Sequence, residues 1–302
     1  MPEAGLSEVF AAAGCEGFLH VRDLDGDGEV ALGADTLVVS ASVFKVAVAL
    51  ELFRQAVVGE VDLRERVRVD PADSLGAPAG LSLFSDEVEV SLRDLAVSML
   101  TVSDALATDV LLEKVGLERV NALTRSLGLT ETVVVGGIQA AFDSLAEDLG
   151  FADGRELLGR QWNDPAETAR ALELMRTARP CTPATATRTT PREMTTLLTA
   201  IWRDEAAPAE ACSEVRSLMA KQLQRERVAR GFRARGDRWS GKTGSFGGAF
   251  RNEVGVVELA AGGRYAIAVF TSAHELYERA RDIDDAIGVA AALAVETLRA
   301  AS

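Results

Sequence analysis

Residues 238–272 have the sequence RWSGKTGSFGGAFRNEVGVVELAAGGRYAIAVFTS, which contains three apolar or alternating runs. These runs are residues 239–246, 252–260 and 264–272. Gly262 and Gly263 separate the last two of them. Runs of this length that are bounded by turn-forming residues are typical of β-strands. The stretch therefore predicts three antiparallel strands.

Two further strands are predicted much earlier, over residues 17–22 and 29–32, on either side of the turn-forming run DLDGDG at 23–28. This run is similar to the start of a calcium loop, but Ala34 stands at the twelfth position, where that loop needs a glutamate. A hairpin turn is the favoured interpretation. We predict no metal site and no cofactor.

The chain between these two groups of strands has mostly helical periodicity, with apolar residues three and four positions apart. The predicted helices are 5–14, 40–56, 93–100, 104–115, 117–127, 140–160, 165–178 and 276–300. This order indicates an α/β sandwich with an inserted all-helical region. The predicted domains are a sheet domain of 1–40 with 208–302, and a helical domain of 41–207 with an extra helical insertion near 140–179.

The composition of the 302 residues limits the function classes, since 48% hydrophobic and 26% charged residues are typical of a globular protein. The formal net charge of −14 disfavours binding to nucleic acid or to an anionic membrane surface. The longest apolar stretch, 37–53, is too short and too polar to span a bilayer. The first residues, MPEAG, lack the features of a secretory signal peptide, so we expect a cytoplasmic protein.

Only two histidines are present, His20 and His274, which makes a Ser–His–Asp triad or a multi-histidine metal site unexpected. The three cysteines, Cys15, Cys181 and Cys212, follow no metal-ligand spacing and are predicted to be buried thiols. A hydrolase with this composition needs a base other than histidine.

Ser42 and Lys45 provide the first catalytic signal. On a helix, side chains three positions apart share a face, so the lysine amine can reach the serine hydroxyl. A serine nucleophile needs an adjacent base, and burial or nearby cations can lower the pKa of a lysine enough for that role. By itself, this spacing also fits an amphipathic helix with a capping serine.

Two more elements follow in order, Ser-Asp-Ala at 103–105 and Lys-Thr-Gly-Ser at 242–245. Together the three elements resemble the Ser-x-x-Lys, Ser-Asp-Asn and Lys-Thr-Gly elements of class A β-lactamases and penicillin-binding proteins. The resemblance includes Thr-Thr-Pro at 189–191 and covers most of the chain from about residue 17. It implies a monomer with a five-stranded antiparallel sheet flanked by helices, beside a helical region. The active site would lie between the two.

The resemblance implies an acyl-enzyme mechanism. Ser42 would be the acylated nucleophile and Lys45 the base that takes its proton. Ser103 would bridge the two lysines and pass a proton to the leaving group. Lys242 would supply positive charge that lowers the neighbouring pKa and attracts an anionic substrate.

The substrate-binding residues are also carried over from the family. The backbone N–H groups of Ser42 and Ser245 would form the oxyanion hole. Thr243 and Ser245 would bind a substrate carboxylate through their hydroxyls. Arg251 is predicted either to bind this carboxylate or to be a surface arginine paired with Glu253.

The sequence departs from the family pattern in two ways. Ala105 stands where the asparagine that orients the lysine is expected. No clear Glu-x-x-Leu-Asn precedes residues 189–191, so the base for deacylation is missing from its usual motif. The candidate replacements are Asp164, Glu156 and Glu147. The extra helices could also cover the cleft as a lid.

The leading functional hypothesis is a class A β-lactamase-like serine hydrolase, of the EC 3.5.2 type, that acts on an amide or ester. The expected partner is a small molecule that carries a carboxylate, with a β-lactam as the first substrate to test. An acyltransferase or esterase in natural-product metabolism would use the same acyl-enzyme. A non-catalytic penicillin-binding sensor is the third alternative.

Overall fold

The computed structural model describes residues 3–75 and 79–301, and its central sheet joins strands that lie more than 200 residues apart in sequence. The strands are β1 (Cys15–Asp23), β2 (Glu29–Leu32), β3 (Val38–Val39), β4 (Arg66–Val69), β5 (Val88–Ser91), β6 (Arg188–Thr189), β7 (Arg238–Phe246), β8 (Phe250–Glu258) and β9 (Arg264–Ala273). The sheet has the antiparallel order β2-β1-β9-β8-β7. The predicted five-stranded antiparallel sheet is confirmed.

The turns of this sheet follow from local sequence. Gly247 and Gly248 adopt positive φ between β7 and β8, and Gly262 and Gly263 do so between β8 and β9. Glycine enters this region without steric cost, so tight turns form there readily. The run 23–28 forms the predicted hairpin turn, in which the Asp23 N–H donates to the Gly28 carbonyl at 2.9 Å.

The helices of the described chain surround this sheet. They are α1 (Glu3–Ala12), α2 (Lys45–Val57), α3 (Leu92–Thr101), α4 (Ala105–Val115), α5 (Leu117–Ser126), α6 (Ile138–Leu149), α7 (Gly154–Gly159), α8 (Pro165–Thr177), α9 (Pro191–Trp202), α10 (Ala209–Met219) and α11 (Ala280–Ala301). None of these helices combines the length and the apolarity that are needed to cross a bilayer.

Two helix predictions need correction. The single helix predicted over 140–160 is broken at Gly150, which is left-handed with φ of 87°, and α7 starts after Asp153 caps its N-terminus. The last helix was expected from residue 276, but Tyr277 and Arg279 have positive φ and delay its start to Ala280. Helices α9 and α10 were not predicted.

The two faces of the sheet bury different apolar cores. On β9, Ala266, Ala268 and Phe270 pack with the helices that include α2, α3 and α9. The alternate residues Ile267 and Val269 pack with α1 and α11 on the other face. This two-residue period is the pattern of a strand that is buried on both sides.

A third, smaller core belongs to the segment α6–α8. Leu145, Leu157 and Met175 from these helices pack with Ala249 and Leu276, which lie next to the β7–β8 turn and after β9. The segment therefore contacts the strand pair that carries residues 242–245. The predicted domain boundaries remain a prediction.

Candidate active site

Ser42 lies in a 3-10 turn, Ala41–Phe44, immediately before α2. The helix predicted from residue 40 thus starts with this tighter turn, and α2 itself begins at Lys45. Strand β7 passes very close to the turn. A Cβ atom on Gly244 would lie 3.0 Å from the Ser40 carbonyl oxygen and 3.1 Å from the Ser42 nitrogen. Glycine at this position therefore allows the strand to approach the nucleophile.

Lys45 is buried at the start of α2, with only 1% of its surface exposed. Its Nζ atom donates to the Ser103 carbonyl oxygen at 2.7 Å and to Ser103 Oγ at 3.2 Å. Burial lowers the pKa of Lys45 to about 7, although the nearby Asp104 and Asp109 carboxylates act in the opposite direction. A substantial fraction of this amine is therefore neutral near pH 7 and able to accept a proton.

Lys242 reaches the same serine from the sheet. Its Nζ atom donates to Ser103 Oγ at 3.0 Å and to the Thr243 carbonyl oxygen at 2.6 Å. Burial, together with the charges of Lys45 and Arg227, lowers the pKa of Lys242 well below its usual value. A hydroxyl oxygen accepts two hydrogen bonds, so donation by both lysine nitrogens leaves the Ser103 O–H to donate elsewhere.

The backbone of Ser103 is held in the left-handed region, with φ of 62°. Asp104 fixes this bend, because its carboxylate accepts from Ser98 Oγ, the Leu81 N–H and the Ala107 N–H that it caps on α4. The carboxylate is thus used in structure. Such strain in a non-glycine residue is common at functional sites.

A cavity of about 1160 Å³ lies next to this group of residues. Of the predicted site residues, those that line it are Ser42, Lys45, Ser103, Ser245 and Arg251. Ala105 lines it too, so an apolar methyl group stands where an asparagine was expected. Thr243 on β7 does not line the cavity. Its side chain is buried, and its hydroxyl donates to Gln224 Oε1 at 2.5 Å.

Arg251 forms an ion pair, but with Asp284 of α11, to which its Nε atom donates at 2.8 Å. The alternative pair with Glu253 is not formed. Glu253 is fully buried and accepts instead from Gln222, Trp239 and the Val228 N–H. Burial raises the pKa of Glu253.

Arg227 is a buried residue that sequence reasoning missed. Its guanidinium donates to Asp284 Oδ1 at 2.7 Å, to the Gly244 carbonyl at 2.9 Å and to Ser245 Oγ at 2.6 Å. Arg227 therefore holds the edge strand beside the nucleophile. No motif marks it in the sequence, because its partners lie 17 to 57 residues away.

The three carboxylates predicted as a deacylation base lie outside the cavity. Asp164 caps α8 by accepting from the Ala166 N–H, and Glu156 accepts from the Ala152 N–H. Glu147 pairs with Arg179 on the surface. Of the described residues that line the cavity, Glu278 alone carries a carboxylate, and its side chain is exposed.

The beta-lactamase enzyme family matches residues 2–298. The chain belongs to this beta-lactamase enzyme family. The resemblance predicted from the three motifs is therefore confirmed for the family, and the fold agrees with it. The buried lysines and the shared serine described above lie within the matched region.

Relatives of this beta-lactamase family member carry different names. The chain is 30% identical over 280 residues to the beta-lactamase regulatory protein BlaB of Streptomyces cacaoi. This match covers 88% of the chain and 87% of BlaB. A beta-lactamase from Sphaerobacter thermophilus superposes with a TM-score of 0.76 at 24% identity, covering 99% of both chains. PBP-A superposes with a TM-score of 0.73 at 19% identity, covering 98% of this chain and 96% of that one. The two solved structures share the fold.

Proposed function

We propose that this protein forms an acyl-enzyme on Ser42 with an amide or ester substrate and hydrolyses it. The observation that carries the proposal is that Ser103 Oγ accepts from both Lys45 and Lys242 in the cavity that Ser42 lines. A nucleophile, a base with a lowered pKa and a proton donor thus share one site, the arrangement that activated serine nucleophiles need.

The proposed acylation moves one proton around the site. Lys45 takes the proton of Ser42 while Oγ bonds to the carbonyl carbon. The carbon–nitrogen or carbon–oxygen bond then breaks. Ser103 donates its hydroxyl proton to the leaving atom and regains one from Lys45. Lys242 donates to Ser103 Oγ and so fixes the position of this oxygen for the transfer.

The same cavity offers groups for the developing and permanent negative charges. The Ser42 and Ser245 N–H groups would stabilise the oxyanion, an effect worth about 3 kcal/mol per donor. Arg251 uses Nε and Nη2 for Asp284, so Nη1 can still donate to a substrate carboxylate. Thr243 contributes less than expected, because its hydroxyl donates to Gln224. We therefore propose Ser245 and Arg251 as the carboxylate site, with a β-lactam as the first candidate substrate.

A second candidate function is a β-lactam-responsive regulatory protein that is acylated once and released slowly. Two observations favour it. Of the described residues that line the cavity, only the exposed Glu278 carries a carboxylate that could activate water, and a relative at 30% identity is named a beta-lactamase regulatory protein. In both candidates the acylation step is the same, and they differ only in the rate of deacylation.

The decisive experiment follows a chromogenic cephalosporin by colour and by intact mass, with the native protein, Ser42→Ala and the control Ser144→Ala. Ser144 lines the same cavity on α6, away from the lysines. We expect the native protein and Ser144→Ala to gain the mass of the acyl group, and Ser42→Ala to gain none.

The time course separates the candidates. If colour continues to develop and the mass of the adduct appears only transiently, the hydrolase is supported. If colour stops after one turnover and the adduct persists, the regulatory protein is supported. Release that is faster with added amines would support acyl transfer. Labelling of Ser42→Ala at the native rate would refute the proposal for every candidate.

A further inference from the structure

The cavity that contains Ser42 is larger and more apolar on one side than a small polar substrate requires. We propose that the α6–α8 segment forms an acyl chamber, a pocket that receives a bulky apolar acyl group while this group is bound to Ser42. The inference rests on the proposed acyl-enzyme and names the class of its substrate.

The first support is the size of the cavity and the composition of its wall. The volume of about 1160 Å³ exceeds the common range for small-molecule pockets, roughly 300–1,000 Å³. The helical wall is apolar on α6, α7 and α8 alike. Its lining side chains include Phe142, Leu145, Leu149, Leu157, Leu172 and Met175.

Exposed apolar side chains concentrate at the same cavity. Of the eleven most exposed large apolar residues in the described chain, four line it. They are Val135, Leu158, Trp162 and Tyr277. Scattered exposed apolar residues are ordinary, but a cluster at the rim of a cavity marks a binding surface. An apolar ligand that covered these four side chains would remove them from water, and this burial would contribute to its binding free energy.

The chamber is continuous with the reaction centre. The rings of Phe142 on α6 and Phe246 at the end of β7 lie 5.2 Å apart, so the apolar wall begins one residue beyond Ser245. The charges divide accordingly. Arg251 lies on β8, one strand from Ser245, and its Nη1 atom is not used by the ion pair with Asp284, whereas Arg160 on the helical side donates Nη2 to both carboxylate oxygens of Glu167. A substrate with a carboxylate at one end and an apolar acyl group at the other matches this division.

In the proposed step, Ser42 Oγ bonds to the carbonyl carbon and the bond to the leaving oxygen or nitrogen breaks. The leaving atom receives the Ser103 hydroxyl proton, and Ser103 regains the proton that Ser42 gave to Lys45. The apolar acyl group stays on Ser42 and is covered by the chamber. Burial of the acyl group stabilises the transition state for acylation, because the group has partly moved from water into the chamber by then.

The test measures acylation by p-nitrophenyl acetate, butyrate, hexanoate and octanoate, from the initial burst of p-nitrophenolate and from intact mass. Burial of a methylene is worth about fourfold in rate, and octanoate has about six more methylenes than acetate, so burial of half of them should make octanoate react about sixtyfold faster than acetate. Leu158→Gln should lower this ratio about threefold or more. The matched control is Leu174→Gln, on α8 but outside the cavity lining; the two leucines are 47% and 39% exposed, so neither change threatens folding.

Equal acylation rates for the four esters would refute the acyl chamber. Identical ratios of the octanoate rate to the acetate rate in the two glutamine variants would also refute it. Failure of every ester to label Ser42 would also overturn it. None of these results refutes the proposed function, which the cephalosporin experiment with Ser42→Ala decides separately.

Discussion

The two walls of the active-site cavity are built in opposite ways. On the reaction side, α2 has ten of its thirteen residues buried, including Lys45. On the substrate side, α8 is equally long but buries only Met175. Side chains of a buried helix are fixed by packing on every face, whereas α8 meets one small core. The comparison teaches that the proposed reacting groups lie where positions are most constrained, whereas the proposed acyl chamber lies where the chain is less constrained.

The electrostatic contacts of the two walls differ in the same way. On the reaction side, Arg227 and Arg251 share Asp284 within the protein. On the substrate side, Arg160 and Glu167 pair at the surface. A buried ion is costly without its partner, while an exposed pair contributes little. The stability of the two walls should therefore respond differently to the loss of one charge.

The largest expected effect is the loss of the Asp284 carboxylate. Asp284→Ala leaves two arginines without their shared partner, so we expect the free energy of unfolding to fall by about 3–5 kcal/mol. Chemical denaturation measures it. The control is Glu167→Ala on the other wall, with an expected change within about 0.5 kcal/mol. Equal effects in the two variants would contradict the contrast between the walls.

The pH dependence of acylation should report Lys45. Its pKa is lowered to about 7, so below this pH the amine is increasingly protonated and cannot accept the proton of Ser42. We expect the acylation rate to fall about tenfold per pH unit below 7 and to level off above it. Stopped-flow acylation by the cephalosporin across pH 5–9 measures the profile.

The lysine control for this profile is Lys114→Met. Lys114 is partly exposed and pairs with Glu65 away from the cavity, so its replacement should leave the midpoint unchanged. A rate that is independent of pH between 5 and 8 would exclude Lys45 as the base.

The smallest effect is expected at Asp164, on the substrate side. Asp164 caps α8 and does not line the cavity, and asparagine caps helices about as well as aspartate. Asp164→Asn should therefore change acylation and deacylation by less than about twofold. A deacylation rate that falls a hundredfold, followed by mass spectrometry of the adduct, would instead restore this residue as the base.

Local sequence patterns were enough for the five strands of the central sheet and for the central motif residues, but not for the short strands β3 to β6. The three strands of 238–272 lie within two residues of their predicted limits. Asp104 lies at the start of the helix predicted over 104–115, and it caps α4. Both features depend on neighbours a few positions away. The break between α6 and α7 also had a local signal in Gly150, which the apolar periodicity of 140–160 obscured.

Residues that act through distant partners could not be found in this way. Arg227 and Gln222 touch residues of β7 and β8 that lie 17 to 31 positions along the chain. The orientation of the acidic candidates Asp164, Glu156 and Glu147 could not be predicted for a related reason, because a carboxylate in the right segment can face either the cavity or water. Orientation depends on how a helix packs: Asp164 and Glu156 accept from nearby backbone N–H groups, and Glu147 pairs with Arg179, which lies 32 residues along the chain.

The sequence by itself determined the family, the sheet and the identities of Ser42, Lys45, Ser103 and Lys242, because these follow from short motifs and from the period of apolar residues. Only the tertiary structure decided what those residues do to one another. Two lysines from a helix and a strand meet one serine hydroxyl, and burial lowers the pKa of each. Burial depends on how distant segments of the chain pack together, so it cannot be read from a local pattern of residues.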